Sequence, residues 1–351
     1  MHTLLERHPE LAFELVTRGM GSKTRWWVAI EPAISFIPED RLGELAELAL
    51  TRLHENPGDG EAAGVIERLS LEAPRVLHAH LDRIYELKPN WDSYTRPWPW
   101  RDSGKAHHAF LKGRMSRGDE DALELLLETR TYLPERSLPE IGYVGRWLYS
   151  DEVRHLVFPP GYLPPVPAPH LARLHPTWKL PALSSAPFGG PGQHVCKACG
   201  STGHHLITLD DKRLEACLSC LGSEVERLSY RHGPDRVEPL YRGRPCKPDR
   251  CAPLKAVTVG LATTPRRWRW QDHAVSNGRE NLHRVGGYPC WIQSADYPDC
   301  PGCSAPMPFL LQLDSDLPLE DGETLMFGDS GMLYGFFCTP CRISCFFYQC
   351  Y

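Results

Sequence analysis

No run of about 18 or more apolar residues occurs in this 351-residue chain, which excludes a membrane-spanning helix of ordinary length. The first residues, Met1-His2-Thr3-Leu4-Leu5-Glu6-Arg7-His8-Pro9, lack the charged-then-apolar order of an export signal, so a cytoplasmic location and no membrane partner are expected. Catalytic signatures are missing too. There is no His-Glu-x-x-His, which would put two metal-binding histidines one helical turn apart, and no Gly-x-Ser-x-Gly elbow to expose a nucleophile. Gly19-Met20-Gly21-Ser22-Lys23-Thr24 lacks both the spacing of a phosphate-cradling loop and a preceding apolar strand, and reads as a turn between helices. Positive charge is nearly absent from the last 61 residues, where Arg342 stands against eight carboxylates.

What the chain has in quantity is cysteine, 13 residues in all. Without export, that number points to thiolate ligands rather than disulfides, and the odd count suits metal sites better than a paired framework. Two quartets stand out, each built from two Cys-x-x-Cys steps. Cys196, Cys199, Cys217 and Cys220 have the spacing of a zinc ribbon over about 194–222; Cys300, Cys303, Cys338 and Cys341 are separated by a longer gap that can hold a strand pair. Each step sets two sulfurs on one tight turn, and two turns complete the tetrahedron that Zn²⁺ prefers. Two bound Zn²⁺ are therefore expected. A closed four-thiolate site leaves no open position for water or substrate, so both sites read as structural. His194, His204 or His205 is an alternative ligand at the first site, and Cys290, Cys345 or His283 at the second. Cys246 and Cys251, spaced Cys-x4-Cys without a partner pair, read as free thiols.

The expected fold class is α+β: a helical-repeat-like domain over 1–158, a proline-rich linker over 159–169 with six prolines, and a β-rich, zinc-stapled domain over 170–351. Helical spacing links Leu4, Leu11 and Leu15; Leu42, Leu45, Ala49 and Leu53; Ala62, Val65 and Leu69; and Leu77, Leu81 and Ile84. The helical pattern stops in the aromatic, proline-rich Trp91–Trp100 stretch, and two further helices are expected after it, over 119–131 and 137–150. Strands are expected around Val257–Leu261, Pro308–Leu313, Leu325–Phe327, Leu333–Phe337 and Phe346–Tyr348, forming a small antiparallel sheet.

Charge is unevenly spread. Residues 1–158 hold 20 Lys and Arg against 26 Asp and Glu, whereas residues 190–290 hold 16 against 10. Pro265-Arg266-Arg267-Trp268-Arg269-Trp270 interleaves cations and aromatics, which suits single-stranded nucleic acid or, alternatively, a strand with tryptophans turned inward. The loop carboxylates Asp314, Asp316, Glu320, Asp321, Glu323 and Asp329 are the candidate contact surface for a basic protein partner.

The segments His283-Arg284-Val285-Gly286-Gly287-Tyr288-Pro289-Cys290-Trp291-Ile292-Gln293, Phe309-Leu310-Leu311-Gln312-Leu313-Asp314-Ser315 and Gly328-Asp329-Ser330-Gly331-Met332-Leu333-Tyr334 resemble the YwqG-like family of bacterial proteins. More distantly, Cys300-Pro301-Gly302-Cys303 with the following strands resembles the C-terminal domain of the programmed cell death protein 2 family. The resemblance covers about 283–351 and extends back to about 170, with the ribbon as an insertion. That family pattern has a histidine where this chain has Cys341, which leaves the second site's fourth ligand open. The first resemblance implies a non-enzymatic immunity protein that neutralises a toxin by direct binding; the second implies a chaperone for a basic ribosomal client. A nucleic-acid-associated zinc protein is the remaining alternative.

Overall fold

A computed structural model describes residues 2–20, 30–87, 113–114, 116–119, 150–166, 173–221, 226–234, 236–240, 251–269, 271, 280–287, 289–293 and 296–351. The chain forms two compact units, Met1–Gly145 with Pro265–Trp270, and Arg146–Thr264 with Gln271–Tyr351. The helices expected over 119–131 and 137–150 lie, apart from Asp119 and Ser150, outside the described residues, as do Trp91–Trp100, Gly21–Thr24 and Cys246.

The first unit is helical. It contains α1 (His2–Arg7), α2 (Glu10–Gly19), α3 (Leu42–Glu55), α4 (Gly60–Glu72) and α5 (Leu81–Leu87), with 3-10 turns at Glu31–Phe36 and Pro74–His80. The stripe Leu42, Leu45, Ala49 and Leu53 is buried along α3, and Ala62, Val65 and Leu69 along α4, as their spacing requires. The break between them works through Asp59, whose carboxylate accepts the Ala62 amide at 3.0 Å to cap α4 and pairs with Arg52 at 2.6 Å. At the start of the chain the expected stripe is out of phase. Leu4 and Leu11 are exposed, and the buried face is Leu5, Ala12 and Val16 instead. Helix lengths of 6, 10, 14, 13 and 7 residues form no regular repeat among the described residues.

The second unit is β-rich. Its strands are β1 (Ser150–Val157), β2 (Ser184–Phe188), β3 (Pro191–Val195), β4 (Thr202–Leu209), β5 (Lys212–Ala216), β6 (Leu228–His232), β7 (Val237–Pro239), β8 (Val257–Thr263), β9 (Arg284–Gly287), β10 (Phe309–Asp314), β11 (Leu317–Pro318), β12 (Thr324–Leu325), β13 (Met332–Cys338) and β14 (Ile343–Gln349). Twelve of them make one antiparallel sheet in the order β3-β4-β2-β8-β1-β9-β10-β13-β14-β6-β7, with β5 on β4. The sheet is larger than the sequence suggested, and it curls into a nearly closed barrel. Its two ends meet where the Tyr230 hydroxyl on β6 accepts the Cys217 amide at 2.8 Å, just past β5, and where Lys197 donates to the Pro239 carbonyl of β7 at 2.7 Å.

β1 corrects the expected domain boundary. Ser150–Val157 is a strand between β8 and β9, so the division falls between Gly145 and Arg146, ahead of the strand, rather than at the prolines of 159–169. Both faces of this strand are covered. Leu156 belongs to the barrel's apolar core, while His155 on the opposite face is fully buried. In register across that outer face run His155, Arg284, Gln312, Tyr334 and Phe347, one from each of β1, β9, β10, β13 and β14.

Candidate metal centres and the polar scaffold around them

The sulfurs of Cys196, Cys199, Cys217 and Cys220 gather in one group and those of Cys300, Cys303, Cys338 and Cys341 in another, all ligand atoms of a group lying within 4.8 Å of one another. The sulfurs of Cys196 and Cys220 are 3.6 Å apart, as are those of Cys199 and Cys217, and those of Cys303 and Cys338 are 3.8 Å apart. A disulfide needs about 2.05 Å. A tetrahedron of sulfurs about 2.3 Å from a central zinc has an edge of about 3.8 Å, so the donor set and its spacing both fit that ion.

Each knuckle is set by its backbone. The Ala198 amide points at the Cys196 sulfur and the Gly302 amide at the Cys300 sulfur, both at 3.4 Å. At three of the four knuckles the residue after the second cysteine then turns back in the left-handed region. Gly200 does so with φ +73°, and Ser304 and Arg342 take the same conformation at φ 55° and 51°. Burial pushes the Cys217 and Cys338 thiols up, so a bound cation is what would hold these two as ligands.

The first quartet lies at the barrel's seam. Its Cys196–Cys199 knuckle joins β3 to β4, and its Cys217–Cys220 knuckle leads out of β5 toward β6. Cys196, Cys217 and Cys220 are part of the apolar core. The ribbon is therefore barrel wall rather than an inserted module. The second quartet ties the loop before β10 to the β13–β14 turn, and Cys341 supplies its fourth sulfur.

The alternative ligands are engaged elsewhere. His194 contacts the Glu215 carboxylate at 2.8 Å, His204 faces the Ala216 and Cys251 carbonyls, and His205 faces the Gly189 carbonyl. His283 accepts the Asp314 amide at 3.2 Å, and Cys290 donates its amide to Gln312. Cys345 is buried within β14, between its neighbours on β13 and β6. Cys251 is a half-buried thiol whose own burial pushes its pKa up to about 11.

Sequence reasoning missed a second feature, a buried polar network on the outer face of the sheet. His155 contacts Thr264 at 2.7 Å and Gln271 at 3.2 Å, Arg284 donates to Gln271 at 2.6 Å, and Gln271 donates to Glu280 at 3.0 Å. Gln312 accepts the Cys290 amide and donates to the Leu282 carbonyl, both at 2.9 Å. The Tyr334 hydroxyl donates to the Cys290 carbonyl at 2.6 Å and accepts the Ile292 amide, while Gln349 accepts the Gln293 amide. Ser315 donates to the Gly331 carbonyl at 2.7 Å, and a Cβ at Gly331 would lie 2.2 Å from two backbone carbonyls. The residues that form the recognisable segments thus hold backbone in place. Only their order in the chain could have hinted at this, because each partner lies many residues away.

Replacing Gln312 by leucine takes the partner from the Cys290 amide and the Leu282 carbonyl at once, along with the weaker contact to the Met332 sulfur at 3.7 Å. At about 1–3 kcal/mol for each of these two buried backbone groups left unpaired, urea denaturation should report a loss of about 2–6 kcal/mol. A loss below about 1 kcal/mol would contradict this role.

The buried histidines carry a pH signature. Burial holds His155 and His283 down at about 3, helped by Arg284 and Arg173 respectively; it holds His175 at about 4, and His232 at about 4 with help from Arg342. Each is neutral in the fold but takes up a proton near 6.5 when unfolded. Stability of the β unit should therefore be flat above that value and fall as pH drops from about 6.5 toward 4, by up to about 1.4 kcal/mol per pH unit for each histidine. Urea midpoints at pH 7.5 and pH 5 should differ accordingly, with protons taken up on unfolding at the lower pH; equal midpoints would contradict it.

The other expected contacts are redistributed. Glu320, Asp321, Glu323 and Asp329 are exposed in the loops around β11 and β12, and Asp316 is half-buried in a left-handed turn. Asp314 is buried, its carboxylate accepting the Ser315 amide at 2.9 Å, so it leaves the contact set because the end of β10 turns it inward. The described residues 265–269 form no strand. Arg266–Trp268 forms a 3-10 turn of the helical unit, with Trp268 buried edge-on to Phe36 and Arg267 paired with Glu6 at 2.5 Å.

Residues 193–343, which include both quartets, match the family described as Domain of unknown function (DUF1963). A stretch of 66 residues is 44% identical to an uncharacterized protein, YpfL, of Salmonella typhimurium. That stretch covers 19% of this chain and 14% of the relative, so the chain spans a small part of that protein's length. No solved structure matches. No helix among the described residues is long and apolar enough to cross a membrane.

Proposed function

We propose that this chain is a YwqG-like binding protein whose β unit is stapled by two Zn²⁺ and which acts as an immunity protein, neutralising a toxin by direct contact. The observation that carries this reading is how the conspicuous side chains are spent. Eight cysteines complete two closed donor sets, and Gln312, Tyr334, Ser315 and Gln349 are bonded to backbone, which leaves the carboxylates of the β11–β12 loops as the marked surface. A zinc with four thiolates supplies charge neutralisation and rigidity, with no position for an attacking water. Glu320, Asp321, Glu323 and Asp329 sit in a chain segment with a single basic residue, and such a field steers and orients a basic partner.

The test is co-expression with the product of the adjacent gene in the source genome. That product should arrest growth alone, be silenced by the full chain, and co-purify with it at fixed stoichiometry. The charge-reversed variant Glu320→Lys, Asp321→Lys, Glu323→Lys, Asp329→Lys should lose the complex and the rescue while keeping its metal. A harmless neighbour that forms no complex would sink the reading.

A further inference from the structure

The two quartets meet solvent differently. In the first, three sulfur-bearing residues are buried in the apolar core and Cys199 packs against it. In the second, Cys300 and Cys338 are buried, Cys303 and Cys341 are half-exposed, and none of the four belongs to that core.

What each quartet holds also differs. The first lies at the closure of the barrel. The second holds a small hairpin that is complete in itself: Asp299 bridges Pro306, the Cys300 amide donates to the Ala305 carbonyl at 2.8 Å, and the Ser304 amide donates to the Cys300 carbonyl at 2.7 Å. The chain on either side of this hairpin is anchored without the quartet. Tyr297 packs its ring against Trp291 and Phe336 at 5.5 and 5.8 Å, the Met307 amide bonds the Pro298 carbonyl, and the Phe337 amide bonds the Pro308 carbonyl. Opening the second site would therefore release residues 299–306 and little else.

We propose that the second quartet is a peroxide-responsive metal site, in which oxidation at Cys303 expels the metal and frees the 299–306 hairpin while the barrel stays closed. This rests on the zinc reading above. The Cys303 thiolate, half-exposed, attacks one oxygen of hydrogen peroxide; the O–O bond breaks, leaving a sulfenic acid and a hydroxide. The Cys338 thiolate, its sulfur 3.8 Å away, then attacks the sulfenic sulfur, the S–O bond breaks and a second hydroxide leaves. Two thiolates have lost two electrons to the peroxide, and the two remaining sulfurs are half the donor set that zinc requires. A thiol reductant with added zinc reverses the change.

The experiment uses the full chain loaded with zinc, treated with hydrogen peroxide in the presence of a chromogenic zinc chelator. One of the two zinc ions should leave in a distinct early phase, with a Cys303–Cys338 crosslink in non-reducing peptide maps and the β circular-dichroism signal retained. Cys303→Ser should lack that phase while keeping the metal of the first quartet. Loss of both ions together with the β signal, oxidation of Cys196, Cys199, Cys217 or Cys220 first, or no release at all would overturn the proposal. Fewer than two zinc ions before treatment would defeat the metal reading itself, and this proposal with it; two ions that leave in a single phase would defeat only the proposal.

Discussion

Cys217→Ser should cut the metal content of the full chain from two ions to one and abolish cooperative unfolding of the β unit. Cys217 is fully buried, its sulfur is 3.6 Å from that of Cys199, and its amide bonds Tyr230 across the barrel's seam. The change therefore removes a ligand, leaves the Cys196 and Cys220 thiols in an apolar core with Cys199 beside it, and loosens the contact between the two ends of the sheet. Structural zinc contributes about 10–16 kcal/mol to the folding of zinc-finger peptides, as much as the whole stability of a typical domain, about 5–15 kcal/mol. Even a fraction of that exceeds what the core can absorb. The readouts are metal analysis and the urea transition followed by far-ultraviolet circular dichroism. A serine variant with an unchanged transition would show that the first quartet is not what closes the barrel.

Trp268→Ala should loosen the helical unit by about 3–5 kcal/mol, the cost of emptying a site filled by a large aromatic. Trp268 is 3% exposed, and its ring lies 5.9 Å from that of Phe36 at an interplanar angle of 82°. Arg267 covers both rings, 5.3 Å from Trp268 and 5.6 Å from Phe36, and is held there by Glu6. Phe36 ends the 3-10 turn that packs against α2, so the loss should propagate into that helix. Hydrogen exchange should speed up by more than about a hundredfold across α2 and residues 31–36 and stay unchanged in β13 and β14. Trp268→Phe should restore most of the protection. Equal changes in the helices and in β13–β14, or none in either, would contradict this anchoring role.

The quartets were legible because their grammar is local: two cysteines three apart make a knuckle wherever the chain places it. β8, β10, β13 and β14 were legible for the same reason, since alternation and aromatic content are read within a few residues. β1 was not. Its covering partners, Thr264 and Gln271, lie 109 and 116 residues from His155, and without them a charged octapeptide has no strand signature. The phase error in α1 and α2 has a different cause: leucine spacing drew attention to Leu4, Leu11 and Leu15, whereas the small Ala12 and the branched Val16 make the close contacts. Asp314 looked like a loop acid because nothing in sequence marks the residue at which β10 ends. The Pro265–Trp270 segment misled for the plainest reason. Its partners in the helical unit, Glu6 and Phe36, lie more than 200 residues away in the chain, which is a tertiary fact.

On the proposed function, two zinc ions, each held by four sulfurs, shape the β unit. Metal analysis of the purified full chain combined with X-ray absorption at the zinc edge tests it most directly. The expected result is two zinc ions per chain in an all-sulfur shell of four at about 2.3 Å. One ion or none, or a shell containing nitrogen or oxygen, would contradict it.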